Sequence, residues 1–228
     1  NTITISVYSL LTFPLPIILA LMLNYLPGRR YKKTIQLVSY APHFISTVVM
    51  VGIILQFLDT RTGLLNVALQ AIGKTPVDFM SDPDYFIHIY VWSGVWQDIG
   101  YGSIIYIASL AGVSPELHEA AIVDGASIFQ RMIHIDIPSL LPIISILLIM
   151  RCGGVLNVGY EKIYLMQNNL NSKVSEVIST FVYKQGIIAA LPQYSYATAI
   201  GLFISAINLV ILLIVNKAAD KVSGSSLF

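Results

Sequence analysis

The sequence predicts an all-α membrane protein, a polytopic helical bundle, and three observations carry that prediction. Of 228 residues, 56% are hydrophobic and only 11% charged, whereas soluble domains carry about 25% charged residues. Mean hydropathy is +0.75. Five apolar segments, at about 3–26, 34–58, 85–112, 139–158 and 194–216, reach the roughly 20 residues that cross a bilayer. Backbone groups in lipid must be satisfied internally, so these segments are helices. The whole chain, 1–228, reads as one transmembrane domain.

A formal charge of +1 points to no nucleic-acid partner. Cys152, the single cysteine, lies inside the fourth segment and is a small packing residue. The chain opens without Met, at Asn1-Thr2, directly into an apolar run, and is expected to lack upstream sequence.

The first segment holds Pro14 and Pro16, which remove helix donors and predict a kink. After it come Arg29, Arg30, Lys32 and Lys33, a cytoplasmic signature. Alternation then places 59–84 and 159–193 outside, and 113–138 and the C-terminus inside. Arg131, Lys217 and Lys221 join the inner set, against Arg61, Lys74, Lys162, Lys173 and Lys184 outside. A second kink is expected at Tyr40-Ala-Pro42-His43 in the second segment.

Two motifs fail on inspection. Gly73-Lys74-Thr75 is the tail of a P-loop, but the glycine required five residues earlier is Ala68 and Pro76 follows at once. The chain therefore has no nucleotide site of its own. His118-Glu119-Ala120-Ala121 is followed by Ile122 where a zinc protease needs its second histidine, so no metal site is expected.

Asp98 and Arg151 are charges within the third and fourth segments. Counted from the inner ends they sit about 21 and 18 Å deep at 1.5 Å per residue. A charge at mid-membrane seeks a partner, so the two are expected to form an intramembrane polar pair. Trp96, Gln97, Asn157, Tyr160 and Glu161 fall at similar outer depths. They fit a sugar pathway, or equally an interfacial aromatic belt with ordinary interhelical hydrogen bonds.

The outer loop 159–193 carries Val174, Val177, Ile178, Phe181 and Val182 at the spacing of one amphipathic helix, with Gly186 placed to end it. Before it, Gln167-Asn168-Asn169-Leu170-Asn171 offers amides that suit sugar hydroxyls or form an Asn-rich turn.

The loop 114–138 is the most specific feature. Ser114 is placed to cap a helix, Pro115 to occupy its first position and Glu116 to favour its positive end. A helix to about Val123 is expected, then a sharp turn at Asp124-Gly125, where glycine is free to take positive φ. A second short helix runs to about Ile135, and Pro138 opens the next span. Such a helix–turn–helix is a compact knob that moves as a rigid body.

Within it, Glu119-Ala120-Ala121, three residues, Gly125, nine residues, Ile135, one residue and Ile137-Pro138 form a spaced pattern. It resembles the cytoplasmic EAA coupling loop of permease subunits in binding-protein-dependent ABC importers, with Ile137 where that pattern usually has leucine. The stretches Trp96-Gln97, Gly102–Tyr106, Gly159–Asn168, Ser179–Tyr183 and Tyr194–Ala197 resemble one branch. That branch is the sugar and polysaccharide-uptake permeases of Gram-positive bacteria, related to maltose-type permeases.

The resemblance implies a type I importer fold with a sixth, N-terminal span. It implies a membrane subunit, not an enzyme, that passes a sugar or oligosaccharide inward by alternating access. The implied partners are a second homologous permease, ABC ATPase subunits that bind the ATP and Mg, and an extracytoplasmic solute-binding lipoprotein. The implied location is the bacterial cell membrane, with the C-terminus cytoplasmic. By matching position, Glu119, Ala120, Ala121, Asp124, Gly125 and Pro138 are the expected ATPase-coupling residues. Two rivals are weaker. A secondary transporter would show inverted repeats with broken helices, and an intramembrane enzyme would need a complete catalytic constellation.

Overall fold

A computed structural model describes residues 1–223, and their regular structure is helical throughout. The first apolar segment becomes α1 (Thr2–Leu11) and α2 (Pro14–Tyr25). The break falls at Thr12–Phe13, where the Phe13 and Leu15 amides donate to the Leu10 and Thr12 carbonyls. Pro14 then sits at the start of α2, where its missing donor costs nothing. The stretch Thr2–Tyr25 is therefore interrupted at the prolines, where the sequence predicts a kink.

Gly28, at φ +86°, turns the chain into α3 (Arg29–Tyr40), an amphipathic helix with no buried residue. A 3-10 turn at Ala41–Phe44 follows, and α4 (Thr47–Phe57) begins afresh. The expected span 34–58 is thus interrupted. Pro42 removes a helix donor, and the Ser46 hydroxyl accepts from the Val49 amide to cap a new helix.

Further on, α5 (Leu64–Ala71) lies within the expected outer loop 59–84, and α6 (Pro83–Leu110) follows it. The Asp59 carboxylate organises that loop by accepting from the Arg61 amide and from the Thr62 amide and hydroxyl. These bonds, those from Thr62 first, hold its carboxyl below the usual value.

Among the described residues three helical stretches are long and apolar enough to cross a membrane: Thr2–Tyr25, Ile128–Gly153 and Tyr194–Lys221. A fourth appears if the broken pair Arg29–Phe44 and Thr47–Phe57 is one span. The expected third span corresponds to α6, whose 28 residues extend about 42 Å. It is long enough, but His88, Gln97 and Asp98 make it too polar to meet the same test. A helix of that kind needs protein, not lipid, against its polar side.

Contacts gather the chain into two compact units. The first comprises Asn1–Ser9, Ile45–Val95 and Val155–Ile207; the second comprises Leu10–Phe44, Trp96–Gly154 and the chain from Asn208. Ile5, Phe86, Ile163 and Met166 centre the core of the first, and Ile17, Ala20, Leu21, Tyr106 and Leu140 that of the second.

Within the second unit α6 approaches α3 closely at Gly100. A Cβ there would lie 2.0 Å from the Ser39 carbonyl oxygen, and a backbone atom cannot step aside. Small residues permit such contacts between membrane helices. Gly100→Ala is expected to cost about 1–3 kcal/mol of overpacking, read as a lower melting temperature of detergent-purified protein against Gly159→Ala, whose Cβ meets nothing within 4 Å.

The segment 159–193, expected as an outer loop, does not form the expected amphipathic helix. It folds as α10 (Tyr160–Met166), α11 (Ser172–Ser175) and α12 (Ile178–Tyr183), which continues into a π-turn at Lys184–Ile188. The stripe breaks at Val177, which is extended and buried. Side-chain hydrogen bonds there outcompete the helix. The Thr180 hydroxyl accepts from the Val177 amide, and the Thr2 hydroxyl accepts from the Ile178 amide. Gly186 does not end a helix either: it is buried in the π-turn, with its Cβ position 3.1 Å from Ala197 Cβ. That alanine belongs to α13 (Tyr194–Ser223), which outruns the expected end at 216.

Candidate functional site

The expected knob is present in the second unit. Its first arm is α7 (Pro115–Val123), preceded by Ser114 and started by Pro115 as the sequence predicts, although the Ser114 hydroxyl makes no capping bond. At the turn Gly125 adopts φ +78°. The Ala126 amide donates to the Ala121 carbonyl and the Gly125 amide to that of Ile122. This pair of bonds is a Schellman cap.

The second arm begins at α8 (Ile128–Arg131) with a capping box. The Ser127 hydroxyl accepts from the Gln130 amide, and the Gln130 side chain accepts from the Ser127 amide. Ser-x-x-Gln before an apolar run was a readable signal for this start.

The arm does not stop near Ile135. A π-turn at Met132–Asp136 joins α8 to α9 (Ile137–Gly153), so 128–153 is one helical lever about 39 Å long. The π-turn changes the bonding register, with the Ile137 amide reaching back to the Met132 carbonyl, and Pro138 falls in the first turn of α9, as the sequence predicts.

The knob surface divides sharply. Glu119, Ala120, Asp124, Gly125 and Pro138 are exposed and Ala121 is half-buried. Apolar side chains stand out beside them: Val123 is 86% exposed and Phe129 68%, with Leu117, Ile122 and Ile128 also exposed.

Beneath that surface lies a polar cluster that the sequence reading missed. Asp136 in the π-turn is fully buried. The Tyr25 hydroxyl, at the end of α2, donates to its Oδ2 at 2.5 Å. His118 Nε2 in α7 lies 3.4 Å from Oδ1, an oxygen that accepts no hydrogen bond. Arg131 lies with its guanidinium carbon 5.5 Å from the Tyr25 ring centre, and its buried Nε is likewise without a hydrogen-bond partner. A hydrogen bond to a charged group contributes about 1.5–3 kcal/mol, so Asp136 ties α2 to the knob. Only the odd placement of an acid between Ile135 and Ile137 hinted at this role.

The expected Asp98–Arg151 pair is not formed. Among the described residues Asp98 is hydrogen-bonded to His43, Nδ1 to Oδ1 at 2.9 Å, and the imidazole stacks on Tyr101 at 3.8 Å. Equal depth sets the level of two residues but not the side they face. The close approach at Gly100 and the 3-10 turn after α3 put His43 beside Asp98 first. Arg151 is exposed and lies within electrostatic reach of Tyr106 and Cys152.

The expected sugar-path residues divide between the units: Trp96 and Gln97 belong to the second, Asn157, Tyr160 and Glu161 to the first. Trp96, Asn157, Tyr160 and Glu161 are exposed. Tyr160 stacks on Tyr183 at 4.9 Å, and Gln97 and Asn157 are each engaged within the protein. The amide run is scaffold. Asn168 and Asn171 both donate to the Met80 carbonyl, and the Gln167 amide donates to Glu176, which also pairs with Lys184.

Residues 13–224 match the family model described as "Binding-protein-dependent transport system inner membrane component". Protein LplB of Bacillus subtilis is 40% identical over the whole chain, which covers 71% of LplB. The polygalacturonan/rhamnogalacturonan transport system permease YteP of the same organism is 34% identical over the same share of each. Among solved structures, a chain of a bacterial alginate ABC transporter, in complex with its alginate pentasaccharide-bound periplasmic protein, is 39% identical. It superposes with a TM-score of 0.96, over 100% of this chain and 78% of that one.

Proposed function

The chain belongs to the binding-protein-dependent transport system inner membrane component family, and from that premise we propose that its 114–138 knob couples an ATPase to solute import. The protein is an all-α permease subunit, not an enzyme. It works with a second permease subunit, ABC ATPase subunits and an extracytoplasmic binding protein to bring a sugar or oligosaccharide across a membrane. The relatives named for polygalacturonan and alginate favour an oligosaccharide over a free monosaccharide as cargo.

The carrying observation is the exposed apolar face of the knob, with Val123 and Phe129 at 86% and 68% exposure. Uncovered apolar surface of this kind marks a protein contact. In this reading Glu119, Ala120, Ala121, Asp124 and Gly125 meet a groove on the ATPase, and Pro138 sits in the lever above it. ATP and Mg bind to the ATPase, not to this chain. The ATPase lies in the cytoplasm of a bacterial cell, so the knob and the C-terminus face that side.

The lever explains how force passes on. A bent or loose connector would absorb the ATPase's displacement, whereas 128–153 is continuous from the capping box to Gly153. Movement of the knob therefore moves the fourth expected span directly, and alternating access follows as a two-state shift. Trp96, Gln97, Asn157, Tyr160 and Glu161 are proposed to contribute to the sugar path, aromatic faces against sugar rings and polar groups on hydroxyls.

Affinity purification of the complete transporter tests the reading. The ATPase subunit is expected to co-purify with this chain in stoichiometric amount. Its absence from a complex that retains both permease subunits overturns the proposal.

A further inference from the structure

Resting on the reading that the knob docks an ATPase, we propose that Asp136 is a positioning residue that locks α2 to the coupling knob. The ATPase then drives the first span together with the fourth. Three elements converge on one buried carboxylate: α2 through the Tyr25 hydroxyl at 2.5 Å, α7 through His118 at 3.4 Å, and the lever that carries Asp136 itself. A third contact closes the cluster of four residues, since Arg131, in the α8 part of the lever, covers the Tyr25 ring. All four belong to the same compact unit.

The placement has a specific mechanical meaning. The π-turn is a rare element, found mostly as single-turn bulges at functional sites, and here it carries Asp136 into the interior. A carboxylate taken out of water needs partners, and each partner lies on a separate helix. Those helices are held at the point where the knob meets the membrane segments. Without Asp136, α7 and the lever remain joined by the Gly125 turn and α2 still shares an apolar core with Leu140 of the lever, but the Tyr25 hydrogen bond that fixes its end at the knob is lost. The knob could then still bind the ATPase and swing without carrying that end of α2 in register.

Spin labels placed on R29C, just past α2, and E116C, in the first turn of α7, report this directly in a C152S background. The whole transporter is used, with distances measured nucleotide-free and after trapping with ATP and vanadate. With Asp136 present, the distance distribution is expected to be narrow and unchanged by trapping. With Asp136→Leu, which has no acceptor for the Tyr25 hydroxyl, it is expected to shift by several Å and at least double in width on trapping, while the ATPase stays bound. Tyr25→Phe removes only a hydroxyl and is expected to give the same trapping-dependent change, so it decides the matter if Asp136→Leu fails to assemble. A distribution that stays narrow in Tyr25→Phe overturns the proposal. Broadening equal in both nucleotide states also overturns it, because that is loss of local structure without coupling. Failure of the underlying reading looks different: the ATPase would be absent from the unsubstituted complex.

Discussion

Phe129→Asp is expected to strip the ATPase subunit from the purified transporter while leaving this chain folded and inserted. Phe129 is 68% exposed, so the isolated chain loses almost no packing when the ring is removed. In the assembly the same ring would be desolvated. Truncation of a central apolar anchor costs at least about 2 kcal/mol of binding, and a buried unpaired carboxylate adds a further penalty. The combined effect corresponds to a fall in ATPase affinity of at least about thirtyfold. The measurement is the ATPase-to-permease ratio after affinity purification, with Tyr194→Asp as a matched control, since Tyr194 is equally exposed but distant in sequence from the knob. An unchanged ratio removes the apolar face from the docking surface.

Gly125→Val is expected to abolish binding-protein-dependent uptake with membrane insertion retained. The cause is the backbone alone, since a Cβ at Gly125 meets nothing within 4 Å. The left-handed conformation at φ +78° costs an ordinary residue about 1–2 kcal/mol, and a β-branched one is a genuine outlier there. Relief of that strain would break the two bonds of the Schellman cap and splay α7 from α8. A graded series separates this from a contact effect. Gly125→Asn should keep most uptake because asparagine tolerates the left-handed region, Gly125→Ala should lose an intermediate amount, and Gly125→Val should fall at least tenfold. If asparagine and valine behave alike, the side chain is blocking the ATPase groove and the backbone account fails.

The knob was legible because its signals are local. Pro115 at the helix start and Gly125 at the turn act within a few residues, so reading them in order located α7 and its turn, although the expected Ser114 cap bond does not form. The lever was only half legible. Pro138 marks the start of α9, but the π-turn that joins α8 to it without a break has no sequence signature of its own. The outer loop misled for a related reason. Its 3.6-residue periodicity is genuine, but the Thr2 and Thr180 hydroxyls captured the Ile178 and Val177 amides, and Thr2 is remote in sequence.

Charged residues show the division most clearly. Hydropathy alone located the three stretches that are apolar and long enough to cross a membrane, because transfer of an apolar run into lipid depends on composition and length, not on neighbours. Partner choice depends on which helix faces touch. Asp98 met His43 instead of Arg151, and Asp136 met Tyr25 and His118. The sequence by itself determined that this is a helical membrane subunit with a helix–turn–helix at 114–138, since hydropathy and turn signals follow from short-range chemistry. Only the tertiary structure decided what anchors the knob, because a buried carboxylate's stability depends on groups drawn from helices about a hundred residues apart.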